Sequence, residues 1–377
     1  MLRKAVSYSW FIFILTAPVF LYCQDIKVET LSLGENAPDF HLKGIDGIEY
    51  SLSDFEKYKI LVVLFTCNHC PTAQAYEDKF IQAVNDFKNK SVGFVAISPN
   101  SPKAISLSEL GYSDLSDDFE SMKIRAKDKS FNFPYLYDGE SQTTSIAYGP
   151  LATPHVFIFD QNRNLRYKGR IDDTENPYIT PTEENMNIAI NELLEEKTVS
   201  LESTKTFGCS IKWAWKDEWT KRLLEEWKNA LVTVEEVNTD YIKTVIKNEG
   251  NKYRLINVWA TWCGPCVIEF PEFVTIDRMY RGRNFEYISL SADNLNKKDK
   301  VLHFLNEKEA SNKNYIYSGT NSYNLIEAVD KDWQGILPYT VLLAPDGEFI
   351  YSIEGPIDPL LLKKEIVNAL GRYYADD

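Results

Sequence analysis

Two Cys-x-x-Cys pairs, Cys67-Asn68-His69-Cys70 and Cys263-Gly264-Pro265-Cys266, each close an apolar β-like run and open a helical pattern. A strand must therefore end and a helix begin within a few residues, twice in one chain, which asks for sheets covered by helices. The placement also separates a redox dithiol from a metal clip, because a helix N-terminus stabilises a thiolate. Pairs that share one zinc ion are expected roughly 15–20 residues apart, whereas residues 71–262 lie between these two. A chain of 377 residues has room for two ordinary domains.

The first half alternates strand and helix patterns. Residues 60–65 and 92–97 read as buried strands, Pro71 suits a first helical turn, and Tyr76, Phe80, Ala83, Val84 and Phe87 recur at helical spacing. A helix over 118–127, short strands near 134–137, 155–159 and 164–168, and a closing helix over 183–197 follow. The second half repeats this grammar with a strand at 253–260, a helix at 266–280, a strand at 285–292 and a helix at 301–308. A hairpin around Pro345-Asp346-Gly347 and a terminal helix over 358–373, capped by Asp358 with Pro359 in its first turn, complete it. The expected class is α/β, with helices on a central mixed sheet. Residues 198–231 fit neither copy. Trp215, Trp219, Leu223 and Trp227 lie four apart and would share one helix face, either docked on a domain or offered to a partner.

The formal charge of −14 and the lack of a basic stripe argue against a nucleic-acid partner. Residues 1–23 read as an export signal: Arg3 and Lys4 precede an apolar stretch over 10–22 that is shorter than the roughly 20 residues of a membrane span. Cleavage after Cys23 would leave Gln24 first. Cleavage before it would make Cys23 a lipid-bearing N-terminus, a pattern that wants a small residue where Tyr22 stands. Either way a periplasmic or cell-envelope location is expected, where disulfide chemistry has work to do.

With two cysteines three apart at a helix N-terminus, both sulfurs lie on one side and close enough to bridge. The expected attackers are Cys67 and Cys263, the first of each pair and the exposed one, with Cys70 and Cys266 resolving the mixed disulfide. His69 can donate to the attacking thiolate and stabilise the reduced form, so the first pair is expected to have the higher reduction potential. His41 and His303 are lone histidines without ligand spacing, and no metal site or cofactor is expected.

Residues 257–271, Asn-Val-Trp-Ala-Thr-Trp-Cys-Gly-Pro-Cys-Val-Ile-Glu-Phe-Pro, resemble the active-site segment of the TlpA-like thiol-disulfide oxidoreductases of the thioredoxin superfamily. Trp262, Glu269 and Pro271 match that pattern, and Leu337-Pro338-Tyr339-Thr340 matches the loop whose proline is cis in the family. Asn257 stands where thioredoxin keeps a buried acid, and the resemblance implies that Glu269 steers protons to and from Cys266 instead. The first half resembles the redoxin, or peroxiredoxin-like, branch. Asn36-Ala37-Pro38-Asp39-Phe40 matches its opening, Ala152-Thr153-Pro154-His155 its cis-proline loop, and residues 167–173 a downstream segment. Cys70-Pro71-Thr72 is similar to the peroxidatic motif, yet that motif's upstream Pro and Thr are Val63 and Cys67 here. A neighbouring thiol in place of the Thr favours a disulfide. Phe207-Gly208-Cys209-Ser210-Ile211-Lys212-Trp213 resembles a segment that trails similar redoxin-like domains, and Cys209 reads either as a third redox thiol or as an inert buried side chain.

The resemblance implies two tandem thioredoxin-like domains, at 26–197 and 232–377, joined by 198–231. Its implied activity is thiol-disulfide exchange, in the reducing direction, with protein thiols or disulfides as partners and an upstream electron donor. Two further readings remain open: a thiol peroxidase recycled by the second domain, and a non-enzymatic metal- or haem-delivery module.

Overall fold

The computed structural model describes residues 27–374. The signal-like segment 1–23 and Cys23 lie outside them. Strands β1 (His41–Gly44), β2 (Glu49–Ser51) and β3 (Ile60–Phe65) lead into α1 (Pro71–Phe87) and β4 (Val92–Ser98). Then come α2 (Phe119–Lys129), β5 (Tyr135–Tyr137), α3 (Thr143–Tyr148), β6 (Ala152–Thr153), β7 (His155–Phe159), β8 (Leu165–Gly169) and α4 (Asn185–Leu194). They build a seven-stranded sheet in the order β2-β1-β5-β4-β3-β7-β8. The central β3 is apolar throughout because both its faces are covered. Ile60, Val62 and Leu64 pack with Tyr76, Phe80 and Phe87 of α1, while Leu61, Val63 and Phe65 pack with Tyr148 and Phe157.

After β9 (Cys209–Ser210) and α5 (Glu218–Lys228), the second half supplies β10 (Glu235–Val237), α6 (Thr239–Lys247), β11 (Tyr253–Trp259) and α7 (Gly264–Tyr280). It continues with β12 (Phe285–Ser291), α8 (Lys298–Glu307), β13 (Lys313–Tyr317) and α9 (Ser322–Val329), and ends with β14 (Tyr339–Leu343), β15 (Phe349–Glu354) and α10 (Pro359–Leu370). Its six-stranded sheet has the order β10-β13-β12-β11-β14-β15. The runs β5-β4-β3-β7-β8 and β13-β12-β11-β14-β15 share one plan, two parallel pairings followed by two antiparallel ones. The chain is thus α/β with two tandem thioredoxin-like domains, and in each domain the Cys-x-x-Cys pair lies between the central strand and the helix after it. Among the described residues no helix is long and apolar enough to cross a membrane.

Residues 203–216, expected to fit neither domain, lie along the first one as a strap. Ser203 bridges to Lys168, and β9 pairs antiparallel with β6, setting Cys209 opposite Thr153. Ile211 and Trp213 are buried, and the Lys212 backbone bonds to Asn100 and Ser101. Gly208 makes the close approach possible: it has φ +130°, and a Cβ there would sit 1.9 Å from the Thr153 carbonyl oxygen. The tryptophan stripe does not form one continuous helix face. Trp215 precedes α5 and stacks on Trp213, Trp219 is exposed, and Trp227 lies under the Arg278 guanidinium.

The two domains are packed together. Ile105 and Leu110 of the first insert into the apolar cluster of Phe273, Ile276 and Tyr280 on α7. The Tyr280 hydroxyl donates to the Ser113 carbonyl at 2.8 Å, and Arg283 donates to Gly111 at 3.0 Å. Arg372, just past α10, reaches back to Asp114 at 2.5 Å. Burial works against charge on Asp114, but the bond and charge of Arg372 outweigh it and hold the carboxyl below its usual range. Breaking such a pair strands a buried charge, so Arg372→Ala is expected to cost about 3 kcal/mol in urea unfolding at neutral pH. Because the folded-state pKa of Asp114 is depressed, this stability is present above its unfolded value of roughly 4 and fades as pH falls through the folded one. The difference between wild type and variant should shrink in acid. A variant as stable as wild type at pH 7 would contradict the assignment.

Candidate active site

Both cysteine pairs sit at helix N-termini, but in different registers. In the second domain Cys263 is the N-cap of α7, Pro265 lies in the first turn, and Cys263 and Cys266 form a disulfide with Cα atoms 5.3 Å apart. In the first domain α1 starts at Pro71, so its N-cap is Cys70, the second cysteine, and Cys67, Cys70 and Cys209 are all free thiols. The expected attacker Cys67 therefore stands before the helix rather than on it.

The environment follows that register. Cys70 Sγ lies 3.2 Å from the Thr153 carbonyl oxygen and accepts the backbone N–H of Cys209 at 3.2 Å. Burial acts to raise its pKa, but hydrogen bonds from Cys209 and Cys67, the His69 charge and the Ala73 amide of the first helical turn hold it well below the ordinary thiol value. Cys67 Sγ meets the Thr153 hydroxyl at 3.0 Å. Burial first, then its bond to Cys70 and the Asp117 charge, push its pKa well above the ordinary value. Of the two thiols, Cys70 is thus the more readily ionised.

His69 is neither at the surface nor aimed freely at a thiol. Its side chain is 1% exposed, and its Nδ1 pairs with Asp117 at 2.6 Å. Asp117 also accepts the backbone N–H groups of Asn68 at 2.8 Å and His69 at 3.0 Å, and the Asn100 amide at 2.7 Å. Burial opposes both charges, yet the mutual attraction raises the His69 pKa and lowers that of Asp117. The pair pins the Asn68-His69 turn and places positive charge beside Cys70. Sequence reasoning missed Asp117, which lies 48 residues along the chain from His69. Its only local signal is its place just before the N-cap Asp118. Cys67, His69 and Asp117 also bring a sulfur, a nitrogen and a carboxylate oxygen within 4.8 Å, a set able to hold a metal ion, although the carboxylate is already filled by these hydrogen bonds. His69 Nε2 is buried without a hydrogen-bond partner.

Accessibility divides the two sites. Cys67 and Cys70 are 2% and 0% exposed, and every residue from Ile60 to Glu77 is buried, so the expectation of an exposed first thiol does not hold there. The strap and residues 99–117 close over the motif. Around the second pair Trp262 is 67% exposed and Ile268 81%, and Gly264 and Pro265 are open as well. Both Thr153-Pro154 and Leu337-Pro338 are cis. Thr153 touches both thiols of the first site, and Leu337 packs on the cluster that contains Cys263 and Cys266. Glu269, one turn after Cys266 on the same helix face, accepts the Ile357 amide at 3.0 Å through one oxygen. Its other oxygen is buried without a partner, and burial pushes its pKa up to about 7.

Comparison with known proteins matches the two halves of the chain separately. Residues 33–168 match the AhpC/TSA family and residues 229–370 the Redoxin family. A stretch of 77 residues, 20% of this chain and 51% of the relative, is 31% identical to "Putative peroxiredoxin bcp" of Helicobacter pylori (strain ATCC 700392 / 26695). A stretch of 122 residues, 30% of this chain and 61% of the relative, is 29% identical to thiol-disulfide oxidoreductase ResA of Bacillus thuringiensis (strain Al Hakam). The chain thus spans between half and two thirds of the length of these curated relatives. Among solved structures, an uncharacterized conserved protein from Geobacillus kaustophilus is 36% identical, over 48% of this chain and 92% of that one, with a TM-score of 0.43. Fold and cysteines define a redox protein of the thioredoxin superfamily. Within that class the chain is a tandem of a domain that matches the AhpC/TSA family and a domain that matches the Redoxin family.

The raised pKa of Glu269 has a measurable consequence. A carboxyl whose folded pKa lies above its unfolded value of roughly 4.3 contributes stability below that pH and loses it as pH rises through about 7. Glu269→Gln should remove this loss, so the variant gains stability relative to wild type across that window in urea melts. A constant difference between pH 4 and pH 8 would contradict a buried, proton-holding Glu269.

Proposed function

We propose that the protein is an exported thiol-disulfide oxidoreductase that exchanges disulfides with protein partners, in the reducing direction, and draws electrons from an upstream donor. The observation that carries this reading is the Cys263–Cys266 disulfide at the N-terminus of α7, flanked by the exposed apolar side chains of Trp262 and Ile268 and by Ile336 before the cis-proline loop. A partner chain can lie over such a rim and present its own sulfur to the pair. In the reduced protein the Cys263 thiolate attacks the partner disulfide, and a new S–S bond forms as the partner's leaving sulfur takes up a proton. Cys266 then gives up its proton, attacks Cys263, and releases the partner as a dithiol. Glu269, poised near neutral pH, is the group that accepts the Cys266 proton. Export rests on the basic start and apolar stretch of residues 1–23.

The first domain supports a second reading. Its Cys70, the more readily ionised thiol of the pair, is buried away from any surface on which a folded protein could dock. Peroxide would be reduced by attack of Cys70 on oxygen, giving a sulfenic acid and water or an alcohol, and Cys67 would condense with it to a disulfide.

Two assays separate the domains. Cys263→Ser should lower the rate at which the reduced protein cleaves insulin disulfides at least 100-fold, while a Cys67→Ser, Cys70→Ser chain keeps most of the activity. Equal losses from the two sites would overturn the assignment of the second pair as the partner-facing one. A reduced Cys263→Ser, Cys266→Ser chain should consume hydrogen peroxide stoichiometrically if the second reading holds, and no consumption would remove it.

A further inference from the structure

The burial of the first site raises a question of access that its two nearest cysteines do not answer. Cys67 and Cys70 are closed off by their own motif and by the strap. Cys209 is partly exposed, belongs to the strap, and packs directly against Cys67, Cys70 and Ala73. Pairing of β9 with β6 fixes Cys209 opposite Thr153, the residue that touches both other thiols. The Cys209 backbone N–H already points at Cys70 Sγ, at 3.2 Å. Gly208 lets the strap come this close, since any side chain there would collide with the Thr153 carbonyl.

Resting on the reading of Cys67 and Cys70 as a pair that forms a disulfide, we infer that the first centre is a three-thiol relay in which Cys70 trades its disulfide partner between buried Cys67 and partly exposed Cys209, and that Cys209 is the thiol through which a protein dithiol or disulfide gains access. The relay step is an isomerisation. In the oxidised state Cys67 and Cys70 are bonded and Cys209 is a thiol. The Cys209 sulfur loses its proton and attacks Cys70, the Cys70–Cys209 bond forms, the Cys67–Cys70 bond breaks, and Cys67 leaves as a thiolate that takes up the proton. No electrons are gained or lost. A partner thiolate then attacks Cys209 and Cys70 departs. The partner's second thiol attacks the mixed disulfide, leaving the partner oxidised and Cys70 and Cys209 reduced by two electrons. Cys70 suits the central place because it is hydrogen-bonded on both sides and the best leaving group of the three. Cys209, whose pKa is raised first by its bond to Cys70 and then by burial, is the weaker leaving group.

The test uses the full chain with Cys263→Ser and Cys266→Ser, so that only the first centre reacts. After oxidation with diamide, reduction is followed with two reductants, dithiothreitol and a reduced bacterial thioredoxin. Adding Cys209→Ser should slow reduction by thioredoxin at least tenfold while changing the dithiothreitol rate less than threefold. In a Cys67→Ser version, peptide mapping without reduction should find Cys70 joined to Cys209. Unchanged thioredoxin kinetics, or a Cys67→Ser chain whose Cys70 and Cys209 do not join, overturns the relay. If the Cys209→Ser chain forms no Cys67–Cys70 disulfide at all, the underlying reading of the first centre falls, and the relay with it.

Discussion

The constraint on which the protein depends is the placement of a cysteine at the N-cap of the helix that follows the central strand, and the two domains place different cysteines there. In the second domain the N-cap is the first cysteine, Cys263, and its disulfide to Cys266 lies under an open apolar rim. In the first the N-cap is the second cysteine, Cys70, and the thiol before it stands outside the helix. With the helix starting three residues later in the motif, the first domain has a buried Cys70 packed with Cys67 and Cys209. The paired folds, with the same five-strand plan, show how little of the scaffold has to change for this.

Burial of the first site has to be offset, because an anionic sulfur in a closed space is costly. The Asp117–His69 pair and the Cys209 amide supply that compensation from separate parts of the chain. The strap therefore closes the site and also supplies one of its hydrogen-bond donors. Packing against the second domain adds a further boundary: Ile105 and Leu110 dock on α7, and Tyr112 meets Tyr374 beyond α10. The loop that carries Asp117 is thereby held between the two domains.

Much of this was legible in the sequence, and the parts that were not have a common cause. β3 is an apolar run of ordinary length and β11 a mostly apolar one broken by Arg254 and Asn257, while α1 starts on Pro71 and α10 on Asp358-Pro359, so periodicity and start signals find them. The helix register in the first domain was also written there, in Pro71 directly after Cys70 against Pro265 two residues after Cys263, a first-turn signal that outweighs the analogy between the two motifs. The polar middle of the first motif, Asn68-His69, reads as exposed and is buried because Asp117 satisfies it from a distant loop. No local pattern encodes that contact. Pairing of β9 with β6 is equally non-local, and only Gly208 and the alternation of Ile211 and Trp213 hint that the segment lies on a surface. β13, in which Lys313 and Asn314 precede Tyr315-Ile316-Tyr317, and the short α9 were missed for want of a longer apolar run.

Two unequal centres on one repeated fold is the central claim, and their reduction potentials test it most directly. Each is measured in the full chain with the other pair changed to serine, equilibrated in thiol-disulfide buffers and read by mass spectrometry. Stabilisation of the Cys70 thiolate favours the reduced form, so the first centre should have the higher potential, with about 30 mV for each ~1.4 kcal/mol gained. Replacing His69 with alanine should lower that value and leave the second centre unchanged. Equal potentials for the two centres, with no response to the loss of His69, would contradict the account.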